Sequence, residues 1–146
     1  MIITIARQCG CGAVHVGKLL AEHYGIPFYT RKTLMDMARE HGVLDEMESF
    51  FDERPVDELL FAMSSLGEPQ KALTEKPIQV LTDMIGQENC IIIGRCGNYI
   101  FRDRKDLVSV FLKGNLEERI ANIRHEEGLG RLEAEEFVEH ADDCRI

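Results

Sequence analysis

Apolar residues recur along this chain in two rhythms. Three short continuous runs, Ile2-Ile3-Thr4-Ile5, Cys90-Ile91-Ile92-Ile93 and Leu107-Val108-Ser109-Val110-Phe111-Leu112, are rich in β-branched residues and predict buried parallel strands. Between them the spacing lengthens to helical. Val14, Val16, Leu19, Leu20 and His23 predict a helix directly behind the first strand, with Gly25 at its C′ position and Pro27 stopping it. Gly25 to Tyr29 leads into a short extended segment, and Thr30 is placed to cap a helix carrying Leu34, Met35, Ala38 and Val43. From Leu44 to Pro55 the chain is acidic and irregular around Phe50-Phe51. Val56 to Leu66 predicts an amphipathic helix, broken by Gly67-Glu68-Pro69. Lys71 to Gly86 predicts another, started or kinked at Pro77, with Ile78, Val80, Leu81 and Ile85 on its apolar face. Gly97 to Phe101 is a short helix before the basic loop Arg102-Asp103-Arg104-Lys105. Asn115 caps a helix from Leu116 to Glu127 with Arg119 and Arg124 on its polar side, and a last helix runs from Glu133 to His140. Strands alternating with helices predict an α/β fold with a parallel sheet, and 146 residues suit one domain, 1–146.

The first strand runs into a glycine-bearing turn, Gln8-Cys9-Gly10-Cys11-Gly12, and then at once into a helix. That layout cradles phosphates, because glycines let backbone approach closely and the free N–H groups of a helix start face an anion. The standard loop, G-x-x-x-x-G-K-[ST], adds a lysine for the phosphates and a hydroxyl for Mg²⁺. If Gly12 precedes the lysine position, Ala13 stands at the lysine and Val14 at the hydroxyl. Gly12 to Lys18 also fits G-x-x-x-x-G-K, followed by Leu19, but that register unwinds the first turns of a well-patterned helix. Lys18 is more plainly a solvated helix residue, and the glycines by themselves suit any tight strand-to-helix connection. Arg95 follows the second strand. Ligands in open parallel sheets sit beyond the C-terminal strand ends. Arg95 therefore shares an edge with the turn if the two strands are neighbours, and its charge there needs either a bound anion or a carboxylate partner in a structural salt bridge.

Composition narrows the chemistry. Apolar residues make up 45% and charged residues 29%, as in ordinary globular proteins. No apolar run approaches the ~20 residues of a membrane span and no basic segment precedes an apolar one, so no membrane role is expected and the cytoplasm is the default location. The net charge of −9 disfavours a nucleic-acid polymer as partner. A nucleotide would need local arginines against that field. The five cysteines form no C-x-x-C pair, and no two histidines share a ligand spacing with a carboxylate, so no protein-held metal site is expected. Cys9 and Cys11 would be reactive thiols if the helix end lowered their pKa.

Placed in order, several segments resemble the cytidylate kinase-like family of the P-loop nucleoside monophosphate kinases. They are Ile2 to Gln8 with Gly10-x-Gly12, Leu20-Ala21-Glu22, Gly25 to Tyr29, Ile92 to Cys96, Tyr99 to Asp103, and Leu116 to Arg119. The resemblance implies a three-layer α/β/α P-loop-type parallel sheet flanked by helices, a flap region over residues 30–66 and a lid region over residues 119–146. It implies ATP with Mg²⁺ over the Gly-rich loop, held by Arg7, Gly10, Cys11, Gly12, Ala13 and Val14. A pyrimidine nucleoside monophosphate such as CMP would lie under the flap, gripped by Arg95 with Arg31 and Arg39. Arg95, Arg119 and Arg145 would neutralise charge in transfer, and Arg124 and Arg131 would belong to the lid. Three positions depart from the family pattern. Relatives offer Gly-Gly-Arg where this chain has Ala13-Val14, Thr30 replaces an acidic residue, and relatives continue past the lid arginine, so the sheet is expected to be incomplete at its C-terminal edge. A phosphotransferase, a silent nucleotide-binding or regulatory protein on the same scaffold, and a remnant that binds no nucleotide all stay open, as monomer or homodimer.

Overall fold

Alternation along the innermost strands divides the core into two faces. The structure is a computed structural model that describes residues 1–45, 78–94 and 97–144. The expected helix at Val56 to Leu66, the segment from Glu46 onward, Arg95, Cys96 and Arg145 lie outside these residues. The described strands are β1 (Ile2–Arg7), β2 (Phe28–Tyr29), β3 (Cys90–Ile93) and β4 (Leu107–Leu112), and they form one sheet in the order β2-β3-β1-β4. Every pairing is parallel, with Ile2 opposite Cys90 and Leu107, and Phe28 opposite Ile91. The helices are α1 (Ala13–Tyr24), α2 (Arg31–Glu40), α3 (78–85), α4 (Gly97–Ile100), α5 (Leu116–Glu127) and α6 (Arg131–Asp143).

Because side chains alternate along a strand, Ile2, Cys90 and Ile92 pack with Leu34 and Ala38 of α2, Leu81 and Ile85 of α3, and Phe101. Ile3, Ile5, Ile91 and Ile93 face the other way, onto Ala13, Leu20 and Ala21 of α1 and onto Phe28. Helices therefore cover both faces of a four-stranded parallel sheet, the three-layer arrangement the family resemblance implies. Each fully buried isoleucine contributes about 1.5–3 kcal/mol of transfer free energy, so these strands anchor the fold. A third cluster, Cys9 with Ile120, Ile123, Ala134 and Val138, packs α5 and α6 together and against the Gly-rich turn.

Local signals set the helix ends. Thr30 and Thr33 form a reciprocal cap, in which the Thr30 N–H donates to Thr33 Oγ1 at 2.6 Å and the Thr33 N–H to Thr30 Oγ1 at 3.4 Å. Asn115 Oδ1 accepts the Glu117 N–H at 2.9 Å, and α5 covers the expected Leu116 to Glu127. Gly25 closes α1 in the left-handed region at φ 63°.

Three expectations are corrected. Among the described residues β4 lies at the sheet edge rather than in the core, with Val108 46% and Phe111 58% exposed. α6 begins at Arg131 and ends at Asp143, a longer helix than Glu133 to His140. In α1 the buried residues are Ala13 and Gly17, whereas Val14 and Leu19 are about half exposed. Its contact face uses small residues because the helix lies close to the sheet, where a Cβ on Gly17 would stand 2.3 Å from the Phe28 ring. Gly17→Ala gains about 1 kcal/mol of helix propensity but meets an overpacking cost of about 1–3 kcal/mol. The substitution is expected to lower the urea midpoint, and combining it with Phe28→Ala should remove that penalty. A stabilised single variant would contradict the close approach.

Candidate functional site

The site forms where β1 ends. Beyond Arg7 the Gln8 N–H still donates to Leu112 O at 2.9 Å, and then the chain turns through Gly10 at φ 82° to Gly12 at φ 66°. Gly10 is needed twice over: its φ suits glycine, and a Cβ would stand 2.5 Å from Arg119 O of α5. Gly12 is the N-cap of α1 and supplies no side-chain cap bond. The first N–H groups of α1 thus have no capping side chain from Gly12, at the positive end of the helix dipole.

The opposite side of the turn is tied down by α5 and α6. Asp142 Oδ1 accepts the Cys9 N–H at 2.6 Å, and Asp142 Oδ2 accepts from Arg119 Nη1 at 2.6 Å. Arg119 Nη1 also donates to Cys9 O at 3.2 Å, and its Nε to Gly114 O at 3.2 Å. Asn122 Nδ2 donates to Gly10 O at 2.8 Å, while Gln8 Oε1 accepts the Gly114 N–H at 3.2 Å. Both peptide groups flanking Cys9 are satisfied by one ion pair whose side chains are only 8% and 14% exposed.

Arg119 is therefore not on the polar side of α5: it is 6% exposed, and its guanidinium is directed at protein acceptors. An arginine can be this buried because a carboxylate and two carbonyls replace its water.

On the open side, a groove of about 510 Å³ runs over the turn. Arg7, Gln8, Cys9, Gly10, Cys11, Gly12, Ala13, Val14, His15 and Lys18 line it, and Ile123, Glu126, Glu127 and Phe137 form the far wall. The volume lies within the range of small-ligand pockets. Six residues singled out in sequence, Arg7, Gly10, Cys11, Gly12, Ala13 and Val14, come together here. Arg31 and Arg39 do not, because α2 covers the sheet face opposite α1. Arg39 pairs with Asp36 at 3.1 Å. Arg131 pairs with Glu117 at 2.9 Å, both more than half exposed, which contributes at most about 1 kcal/mol. Arg124 is exposed, and neither it nor Arg131 lines the groove. β1 and β3 are neighbours, and the Arg7 guanidinium lies against Gly94, where a Cβ would be 2.6 Å from Nη1. The chain just before Arg95 is thus at the groove's edge, although Arg95 itself lies outside the described residues.

Sequence gives Asp142, Asn122 and His15 no site role, and it reads Lys18 as a solvated helix residue rather than a phosphate lysine. One signal was available for the clamp: Arg119 and Asn122 stand three apart, on one helix face. Ala13 and Val14 place no oxygen where the standard loop's hydroxyl meets Mg²⁺. Among the described residues, no group of three or more His, Cys, Asp or Glu could hold a metal. These side chains do not fit a protein-ligated Mg²⁺ at that point.

The reactive-thiol expectation is corrected. Burial pushes the Cys11 thiol up, against the opposing pull of Arg119, and Cys9 is 3% exposed. Cys90, fully buried, is pushed up to about 11, first by burial and then by Glu88. Iodoacetamide at pH 8 should modify Cys11 more slowly than a free thiol; faster labelling would contradict the raised thiol. Asp142→Asn leaves the Arg119 cation buried without its anion, and should cost about 3 kcal/mol in urea unfolding. An unchanged midpoint would show that the ion pair does not hold the turn.

Comparison with known proteins accords with this geometry. A crystal structure of an uncharacterized protein from Eubacterium ventriosum superposes with a TM-score of 0.72 at 25% identity, over 99% of this chain and 75% of the other. The crystal structure of TT1252 from Thermus thermophilus shares the fold at 18% identity and a TM-score of 0.51, over 98% of this chain and 85% of that one. A search of curated proteins returned no match. The family model described as the cytidylate kinase-like family matches residues 2–145, from β1 through α6, and the chain belongs to that family.

Proposed function

We propose that this chain binds the phosphates of ATP over the Gln8–Gly12 turn and transfers a phosphoryl group to a pyrimidine nucleoside monophosphate of the CMP type. One observation carries the reading: the groove opens on the start of α1, where Gly12 provides no capping side chain and leaves backbone N–H groups for an anion. Phosphoryl transfer asks little covalent chemistry of the protein. Catalysis is positioning and charge neutralisation.

In this reading the turn amides orient the phosphates, and Arg7 at the end of β1 supplies positive charge beside them. Arg119 and Asp142 act as positioning residues that hold the backbone in place. Arg95 and Arg145 keep the roles family membership implies, the first gripping the acceptor and the second closing with the lid beside Arg124 and Arg131. Arg31 and Arg39 belong to the acceptor side. Any Mg²⁺ arrives as part of the nucleotide's own complex, where it offsets phosphate charge. No helix among the described residues is long and apolar enough to cross a membrane, which accords with a cytoplasmic small-molecule enzyme.

A second reading has its own observation. Ala13 is 7% exposed and packed against the sheet, and Val14 is apolar, so the usual cation position is empty of charge. Losing such a cation costs roughly 3 kcal/mol or more of transition-state stabilisation. A nucleotide-binding protein without turnover would follow.

Calorimetric titration with Mg-ATP and separately with CMP, followed by a coupled ADP-release assay, decides between them. The enzyme reading expects both ligands to bind and ADP to form only when CMP or UMP is present. Binding without turnover would establish the silent protein. If neither ligand bound, both readings would fall.

A further inference from the structure

We infer that Lys18 supplies the cation that the Gly-rich turn lacks, meeting the bound polyphosphate from the second turn of α1; the inference rests on the phosphate-binding reading above. The two positions that carry charge and hydroxyl in a standard loop are closed to that role here. Ala13 faces the sheet, and Val14 offers only methyl groups to the groove. Lys18 stands four residues beyond Val14, hence on the same helix face. Four residues of rise place its Cα roughly 6 Å farther along the axis. Helical side chains lean back toward the N-terminus, so a four-carbon stem brings the ammonium over the turn that Val14 leaves uncharged.

Three features of the molecule support this. Lys18 lines the same groove as Gly12 and Val14, and Lys113, whose neighbour Gly114 bonds to Gln8 of the turn, does not. Lys18 is exposed and joins no ion pair among the described residues. Glu126 and Glu127 line the opposite wall, and neither is bonded to it. That wall raises the need for a cation, since an incoming polyphosphate meets two carboxylates in a chain of net charge −9. Sequence also places Lys18 at the lysine of the overlapping G-x-x-x-x-G-K pattern from Gly12. The structure rejects that loop, because residues 13–16 are helical, yet it leaves the lysine at the groove.

The test titrates Mg-ATP and inorganic tripolyphosphate into wild type, Lys18→Gln, Lys18→Arg and Lys113→Gln at low and high salt. Lys18 is exposed, so all variants should unfold at the wild-type midpoint. Lys18→Gln should weaken both ligands about ten- to hundredfold, the range for losing a charge-assisted hydrogen bond. It should also flatten the salt dependence, while Lys18→Arg recovers most affinity and Lys113→Gln changes nothing. Wild-type binding with an unaltered Lys18→Gln would overturn the inference and leave the phosphate site standing. Wild type that bound neither ligand would remove the phosphate-binding reading, and Lys18 with it.

Discussion

The ion pair between Arg119 and Asp142 is the constraint on which the site depends. It reaches from two helices to the two peptide groups that flank one residue: the carboxylate takes the Cys9 N–H and the guanidinium takes the Cys9 carbonyl. A short glycine turn after a strand is otherwise a flexible link, since glycine gives up much backbone freedom when ordered. Here that ordering is offset by charged hydrogen bonds in a nearly water-free setting, where they are strong and where breaking one partner is costly. Cys9 fills the same junction with its side chain, packing on Ile120, Ile123, Ala134 and Val138. One residue thus joins the turn to α5 and α6 through its backbone and its thiol together.

The consequence is a division of labour around the turn. Its inner side is bound to α5 and α6, so the amides that remain for a ligand are those entering α1. Gly10 permits the α5 backbone to come this close, and Gly12 leaves the helix start without a side-chain cap. An arginine expected to neutralise phosphate charge is instead part of the frame; in the proposed function that electrostatic task falls to Arg7, Lys18 and the helix start.

What could be read in the sequence follows the range of the interactions involved. Thr30, Asn115 and Gly25 act within four residues of themselves, and the helix ends they mark are where expected. The isoleucine runs announced β1 and β3 because both faces of those strands are covered. The edge position of β4 was not legible, since sheet order depends on which strands meet across long stretches of chain. Nor was the apolar face of α1: Val14 and Leu19 look like core residues, but the close packing of Gly17 on Phe28 turns them outward. The burial of Arg119 was the hardest to see, because two of its three acceptors are 23 and 110 residues away and all three are polar groups. The groove itself was half legible. The glycines and Arg7 were visible as a motif, and Lys18 was visible as the lysine of an overlapping pattern, but sequence favours a solvated helix position for it, and its place at the groove appears only with α1 beginning at Ala13.

The proposed phosphate site is the backbone between Gly10 and His15. Backbone amide NMR of the labelled protein during titration with Mg-ATP tests it most directly. Saturable shifts are expected to concentrate on the amides of Gly10 to His15, with lesser changes at Cys9 through its tie to Asp142. Shifts confined to other surfaces, or none at saturating nucleotide, would contradict it.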